Sequence, residues 1–314
     1  MFDVTLHQLR VFREVVTRGT MAAAAESLGY TPSAISQAMN ALERAVGRAV
    51  FERVGRSVQP TDLGRNLLVH ANDLLAGVER AQAELERSAT EVRGTFTIGV
   101  FESMALTALV PLLSTLSDRH PALQVQTDEL MPQSVAEEVL SGALDMAFVI
   151  DYPHAPHALP DGVTSQLMLT ERFWLVTPRG HRLAPGPVPL AALADESLIA
   201  PPISVSCGRC VVLACRAAGF EPKVHHRIDD YTTTLRMVEA GLSSALIPDL
   251  GLTDLSRDVE VIELTDRVDR QILAIHRKSS AGRPALNAVL QASRDVFTAL
   301  AVLSPDRASA EPAL

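Results

Sequence analysis

From Gly94 onward the chain alternates short apolar segments of strand length with segments of helical period, and this alternation constrains its fold more than any other feature. Residues 95–100, 123–129 and 145–150 read as strands. Between them lie an apolar helix through Leu106, Leu109, Leu112, Leu113 and Leu116, broken at His120-Pro121, and a second helix over 134–141. Strand, helix, strand, helix, strand is the signature of a parallel α/β sheet. The pattern continues with strands near 163–169, 173–177, 198–200, 224–228, 244–247, 259–264 and 271–276, helices at 207–218 and 232–240, and a closing helix from Pro284 to about Leu303. One small sheet needs less than this, so two lobes with a cleft between them are expected.

The first 93 residues have another texture. Leu6, Leu9, Phe12 and Val15 or Val16 recur at spacings of three and four and form one apolar helical face, which Gly19 ends. Thr20 caps a second helix over 21–28, whose alanines at 22–25 allow close helix approach before Gly29 closes it. Thr31-Pro32 starts a third helix with a capping residue and a proline at the first helical position, where its missing N–H costs nothing. Ile35, Met39, Leu42 and Val46 form its inner face, leaving Ser33, Ser36, Gln37 and Asn40 on the other side. Helix, tight turn and helix with a polar outer stripe places a recognition helix in a major groove. Residues 50–58 then read as two short strands turning at Gly55, a wing whose Arg53 and Arg56 are placed to meet phosphates or the minor groove. A long helix from Thr61 carries Leu67, Ala71, Leu74, Val78, Ala81 and Leu85 at spacings of 4, 3, 4, 3 and 4. That heptad seam predicts a dimerising coiled coil, with packing on its own domain as the alternative.

Charge divides along the same lines. Residues 1–65 hold eight Arg against six Asp or Glu, residues 66–93 hold three Arg against five acids, and residues 94–314 carry the whole formal net charge of −9. A mildly basic head on an acidic body suits a small nucleic-acid reader attached to a larger non-binding part. With 47% hydrophobic and 21% charged residues over 314 positions, the chain has apolar surface for more than one core. Its longest apolar run, Cys210 to Cys215, reaches six residues, whereas a bilayer span needs about 20. The N-terminus, carrying Asp3, His7 and Arg10, lacks a signal-peptide core. A cytoplasmic address without a membrane partner is therefore expected. The odd count of three cysteines fits a reducing compartment.

Several fixed spacings together resemble one known family. Leu9 through Phe12, Gly19-Thr20, Ala24-Ala25, Leu28, the run TPSAISQAMNALE over 31–43, Gly47, Val50-Phe51-Glu52-Arg53, Pro60-Thr61 and Gly64 are similar to the N-terminal signature of LysR-type transcriptional regulators. Leu140-Ser141-Gly142-Ala143-Leu144-Asp145 and Val238-Glu239-Ala240-Gly241-Leu242, followed by Pro248, resemble landmarks of that family's effector domain. The resemblance implies a winged helix-turn-helix DNA-binding domain over 1–65 and a linker helix for dimerisation over 66–93. It further implies a two-lobed effector domain over 94–303, like periplasmic solute-binding proteins, with lobe I at about 94–164 and 265–303 and lobe II at about 165–264. Residues 304–314 form an expected flexible tail. The implied partners are double-stranded promoter DNA, a small-molecule effector and further copies of the chain, as homodimer or homotetramer, with RNA polymerase a further candidate. No catalysis, cofactor or metal is implied. The candidate DNA-contacting set is Thr31, Pro32, Ser33, Ser36, Gln37, Asn40, Arg53 and Arg56. Many members have Gln-Pro where this chain has Pro32-Ser33, and Arg is frequent at the position of Gln37. Gln pairs well with adenine and Arg with guanine, so base preference does not carry over.

Parallel sheets place ligands at the carboxyl ends of their strands, which selects the loops around Glu102, Pro132, Ser204 and Tyr231. Glu102, Ser103, Pro132, Gln133, Ser204, Ser206 and Thr232 form the candidate effector set. Ser103, Ser134, Ser206 and Thr232 stand near helix starts and would offer hydroxyls and free N–H groups to an anion, with N-capping as the alternative role. Glu102 and Asp230 would instead repel an anion, leaving the sign of the ligand open.

Other functions have weaker support in the residues. Cys207-Gly208-Arg209-Cys210 at a helix start, with Cys215 beyond, suggests a thiol redox switch, since a helix start and an adjacent Arg lower thiol pKa. It lies where peroxide-sensing relatives carry their reactive pair, offset by one. The same cysteines with His225-His226 make half a zinc-type signature, and only one of two consecutive strand histidines can face a site. An enzyme is disfavoured because no nucleophile elbow, phosphate loop or His-Glu-x-x-His occurs, and His154 and His157 sit in a Pro-rich connection. An exported solute-binding protein would need a signal peptide and no DNA-reading head.

Overall fold

The computed structural model describes residues 3–55, 57–86, 91–129, 135–152, 158–184 and 186–303. Arg56, Pro132, Gln133, Ser134, His154, His157 and the tail 304–314, all singled out above, lie outside the described residues. The head consists of α1 (Leu6–Arg18), α2 (Met21–Leu28), α3 (Pro32–Val46), β1 (Phe51–Val54) and β2 (Ser57–Pro60), followed by the linker helix α4 (Asp62–Glu86).

Local chemistry accounts for each boundary in the head. Thr5 and Gln8 form a reciprocal capping box on α1, Thr20 accepts the Ala23 N–H at 3.1 Å, and Thr31 accepts the Ala34 N–H at 3.2 Å. Gly19, Gly29 and Gly47 end the three helices in the left-handed region, where a side chain would be strained. Phe12, Val15, Ala24, Ile35, Leu42 and Val50 are buried together with Ala71 and Leu75 of α4, so the linker helix is rooted in the head's own core.

The body begins with β3 (Gly94–Val100), which leads into one helical segment made of α5 (Glu102–Met104), a π-helical turn (Ala105–Leu109) and α6 (Val110–Arg119). There follow β4 (Leu123–Glu129), α7 (Val135–Ser141), β5 (Met146–Asp151), β6 (Val163–Pro178), β7 (Ser197–Ala200), α8 (Ser206–Ala217), β8 (Lys223–Arg227) and α9 (Tyr231–Glu239). The chain closes with β9 (Ser244–Pro248), β10 (Val259–Ile262), β11 (Asp269–Arg277) and α10 (Pro284–Leu303). The strands run in the order β4-β3-β5-β11-β6-β9-β7-β8, with β10 on β6. β3 is parallel to β4 and β5, and β7 is parallel to β8 and β9. Each lobe thus grows from the same parallel unit, as the strand and helix alternation predicts. The returning strands β6, β10 and β11 are antiparallel to their neighbours, so the sheet is mixed.

Two expectations need correcting. Residues 163–169 and 173–177 belong to one 16-residue strand, β6, because Thr170, Glu171 and Arg172 stay in register with Gln271, Arg270 and Asp269. The lobes also exchange later than residues 165 and 265. β6 pairs with β11 as far as Arg172 and with β9 from Phe173, and β11 begins at Asp269. Lobe I packs Phe96, Leu112, Phe148 and Phe297 on one sheet face and Val139, Ala147 and Ile275, against α7, on the other. Lobe II packs Leu175, Leu198 and Val211 towards α8 and Val176, Leu235 and Ile247 towards α9.

Ion pairs fasten the linker helix to lobe I. Arg277 donates to Glu79 at 2.8 Å and to the carbonyls of Val139 and Leu144 at 2.6 Å, while Arg283 bridges Asp145 at 2.6 Å and Glu86 at 3.4 Å. Arg18 of α1 reaches Glu138 of α7 at 3.8 Å. Burial and the neighbouring Arg277 lower the Arg13 guanidinium to about 10. Among the described residues no helix is long and apolar enough to cross a membrane.

Gly64, in the first turn of α4, passes so close to the base of the wing that a Cβ would lie 2.1 Å from the Val50 carbonyl oxygen. Gly64→Ala must push helix and wing apart, and we expect a loss of about 1–3 kcal/mol in thermal unfolding of the head. An unchanged melting curve would show that the close approach is not real.

Recognition face and interlobe cavity

The third helix presents two chemically opposite sides. Ile35, Met39 and Leu42 are buried, whereas Thr31, Pro32, Ser33, Ser36, Gln37 and Asn40 are all exposed. Thr31 spends its hydroxyl on capping. The side chains of Ser33, Ser36, Gln37 and Asn40 have no hydrogen-bond partner among the described residues. Their donors and acceptors are therefore available to base edges. Arg53 is exposed on β1, beside the turn that Gly55 makes at φ 63°. The heptad seam divides between two uses. Ala71 is buried in the head and Leu67 and Val78 are half-buried, while Leu74, Ala81 and Leu85 are exposed, Leu74 by 56% and Leu85 by 78%.

A cavity of about 700 Å³ lies between the lobes, at the carboxyl ends of β3 and β5 and the starts of α5, α7, α8 and α9. Its wall is largely apolar, with Val100, Phe101, Phe148, Ile150, Leu159, Leu273 and Ile275 among the lining residues. Arg270 also lines it and is fully buried. Its Nε donates to Glu171 at 2.5 Å, Nη2 to the Ser103 hydroxyl at 2.7 Å and Nη1 to the Tyr231 hydroxyl at 3.3 Å. The other Glu171 oxygen accepts the Leu250 N–H at 2.8 Å. Burial pushes the Glu171 carboxyl up, and the adjacent guanidinium opposes that push. Across the cavity mouth, Glu102 of lobe I accepts the Tyr231 N–H of lobe II at 2.8 Å, beside the Asp230 carboxyl. Burial is the main cause that raises Glu102 to about 7, with Asp230 and Asp229 adding to it. Asp230 is lowered by its bonds to Thr233, whose N–H it accepts at 2.6 Å as the cap of α9.

Of the candidate effector residues, Glu102, Ser103 and Ser206 line this cavity. Ser204 and Thr232 are exposed and do not. α9 starts one residue earlier than expected, with Asp230 as its cap, which brings Tyr231 rather than Thr232 to the wall. The Ser204 carbonyl accepts from Arg209 at 3.1 Å in the turn before α8. Ser103 and Ser206 are not helix caps either, since Phe101 and Val205 hold those positions. Sequence reasoning missed Arg270, Glu171 and Tyr152, and it placed Tyr231 in a cleft loop without putting it in the candidate set. The available signal was opposite charge in two strands, at Glu171 and Arg270, which are directly opposed in the β6–β11 register.

The cysteines contradict the expectation of lowered thiol pKa. Arg209 turns to the Ser204 carbonyl and the Ser206 hydroxyl, away from the thiols. Burial pushes Cys207 up, where it meets the Tyr231 hydroxyl at 3.5 Å, and raises Cys210 to about 12 and Cys215 to about 11. Cys207 and Cys215 lie eight residues apart on α8, about 12 Å along its axis, too far for a disulfide in this helix. Among the described residues no group of three or more His, Cys, Asp or Glu is placed to hold a metal ion.

Comparison with known proteins agrees with both halves of this description. Residues 6–65 match the family described as bacterial regulatory helix-turn-helix protein, lysR family, and residues 89–298 match the LysR substrate binding domain. The nitrogen assimilation regulatory protein nac of Klebsiella aerogenes is 30% identical over 248 residues, 78% of this chain and 79% of that protein. A hydrogen-peroxide-bound mutant of OxyR from Corynebacterium glutamicum superposes with a TM-score of 0.61 at 25% identity, over 97% of each chain. A full-length mutant of OxyR from Pseudomonas aeruginosa shares the fold, with a TM-score of 0.71 at 19% identity over 93% of this chain and 98% of that one. The chain belongs to the LysR family of transcriptional regulators: a DNA-binding head joined to an effector-binding domain, and not an enzyme.

The raised Glu102 carboxyl makes a pH prediction. A folded pKa above the ordinary value of 4.5 contributes stability that is fully present below that value and lost as pH rises through about 7. Glu102→Gln keeps an acceptor for the Tyr231 N–H without the charge. Its melting temperature should match that of the parent chain near pH 5 and exceed it increasingly up to pH 8, whereas a pH-independent difference would contradict the assignment.

Proposed function

We propose that the chain reads promoter DNA through the outer face of α3 and the wing, and that a small molecule bound between the lobes alters that binding. The observation that carries the reading is the stripe of Ser33, Ser36, Gln37 and Asn40, exposed and without side-chain partners among the described residues, on a helix whose opposite side is buried. The domains follow as a head over 1–65, a linker segment over 66–93 that α4 supplies as far as Glu86, and an effector domain over 94–303. The exposed Leu74, Ala81 and Leu85 support self-association through the linker helix, as a homodimer or a pair of dimers. Lobe closure about the cavity would then change the spacing of two heads on DNA. The cytoplasm, where DNA lies, is the proposed location.

A thiol-sensing version of the same regulator has less support. Some relatives are named as peroxide-inducible activators, but in this chain burial holds all three sulfurs as thiols.

Fluorescence anisotropy on the intergenic DNA upstream of the chain's own gene tests the reading. Gln37→Ala should cost about 1–3 kcal/mol on that fragment and relax preference at one base pair. Arg53→Ala should weaken binding to all sequences alike and reduce the salt slope by about one. If neither variant differs from the parent chain, α3 and the wing are not the recognition face.

A further inference from the structure

We infer that the effector carries a positively charged amine on an apolar body, seated with the amine between Glu102 and Asp230. This rests on the reading of the interlobe cavity as the effector site and adds the chemical class of its ligand.

The charge of the described wall decides the sign. Arg270 is its only cation, and that charge is already matched by Glu171 at 2.5 Å, with two guanidinium nitrogens further committed to Ser103 and Tyr231. An anionic ligand would meet a guanidinium whose charge Glu171 already balances, and so would gain little attraction to set against the carboxylates of the same wall. The remaining charged groups on the described wall are all carboxylates: Glu102, Glu129, Glu137, Asp151, Asp229 and Asp230. Three of these converge at one end, where Glu102 of one lobe accepts the N–H of Tyr231, the residue next to Asp230 on the other. Two neighbouring carboxyl groups favour one positive charge between them, whether a shared proton or a cation. An ammonium group there replaces the proton, donates to both carboxylates and ties the lobes together.

Two observations independent of the acid pair indicate a ligand of some size. The cavity of about 700 Å³ is in the range of small-molecule sites, and its apolar side chains would take a hydrocarbon or aromatic body. Tyr152, on the same wall and only 5% exposed, sets its hydroxyl against the Cys207 thiol, a weak partner that a polar atom of a ligand would improve on.

Calorimetric titration of the full chain at pH 7.5 tests this with matched probes: phenethylamine, 3-phenylpropionate and 2-phenylethanol. The amine should bind most tightly, and Glu102→Gln, which keeps the acceptor for the Tyr231 N–H, should weaken it by about tenfold or more while leaving the alcohol unchanged. Tighter binding of the carboxylate, no binding of the amine, or amine binding indifferent to Glu102→Gln would overturn the amine class. Ala136→Trp, which fills the wall of the cavity, separates this from failure of the site itself. If probes bind the Trp variant as well as the parent chain, the ligand is elsewhere and the effector-site reading falls as well.

Discussion

The body of this protein is organised around one buried ion pair. Arg270 and Glu171 sit directly opposite each other on the two antiparallel strands that cross between the lobes, both shielded from water. Removing two charges from water is costly, and further hydrogen bonds to both partners offset that cost. The backbone N–H of Leu250 donates to the second Glu171 oxygen, and Ser103 and Tyr231 each accept from one further guanidinium nitrogen. Those partners come from α5 in lobe I and α9 in lobe II. One side chain at the crossing thus touches both walls of the cleft, and its charge is spent before any ligand arrives.

The same strand connects the cavity to the DNA-binding half. β11 begins beside Arg270 and ends at Arg277, which holds Glu79 of the linker helix and the carbonyls at the end of α7. α7 is shared too: Val135, Ala136 and Glu137 line the cavity, and Glu138 meets Arg18 of the first helix. A change at the cleft is therefore two short, rigid elements away from the head.

The head was legible in the sequence almost residue by residue because its signals are local. Thr20 and Thr31 cap, Gly19 and Gly29 terminate, and the spacing of Ile35, Met39 and Leu42 fixes which side of α3 faces out. The parallel units of both lobes were legible for the same reason. What escaped is non-local. Thr170-Glu171-Arg172 reads as a polar break between two strands, since the partner that makes a buried glutamate acceptable is 99 residues away. The position where the lobes exchange was lost with it. At the cleft, a one-residue shift in the start of α9 exchanged Thr232 for Tyr231, and the neutralised Arg270 that turns the cavity acidic left no trace in local pattern.

The most direct test of this account uses the chain's single tryptophan, Trp174, three positions beyond Glu171 on β6 and bonded to Asp249 at 2.7 Å. Urea unfolding followed by its fluorescence should show Arg270→Met and Glu171→Met each losing about 3–5 kcal/mol, and the double variant recovering much of that loss as two methionines replace two charges. If the two losses simply add, the pair is not coupled and does not organise the cleft.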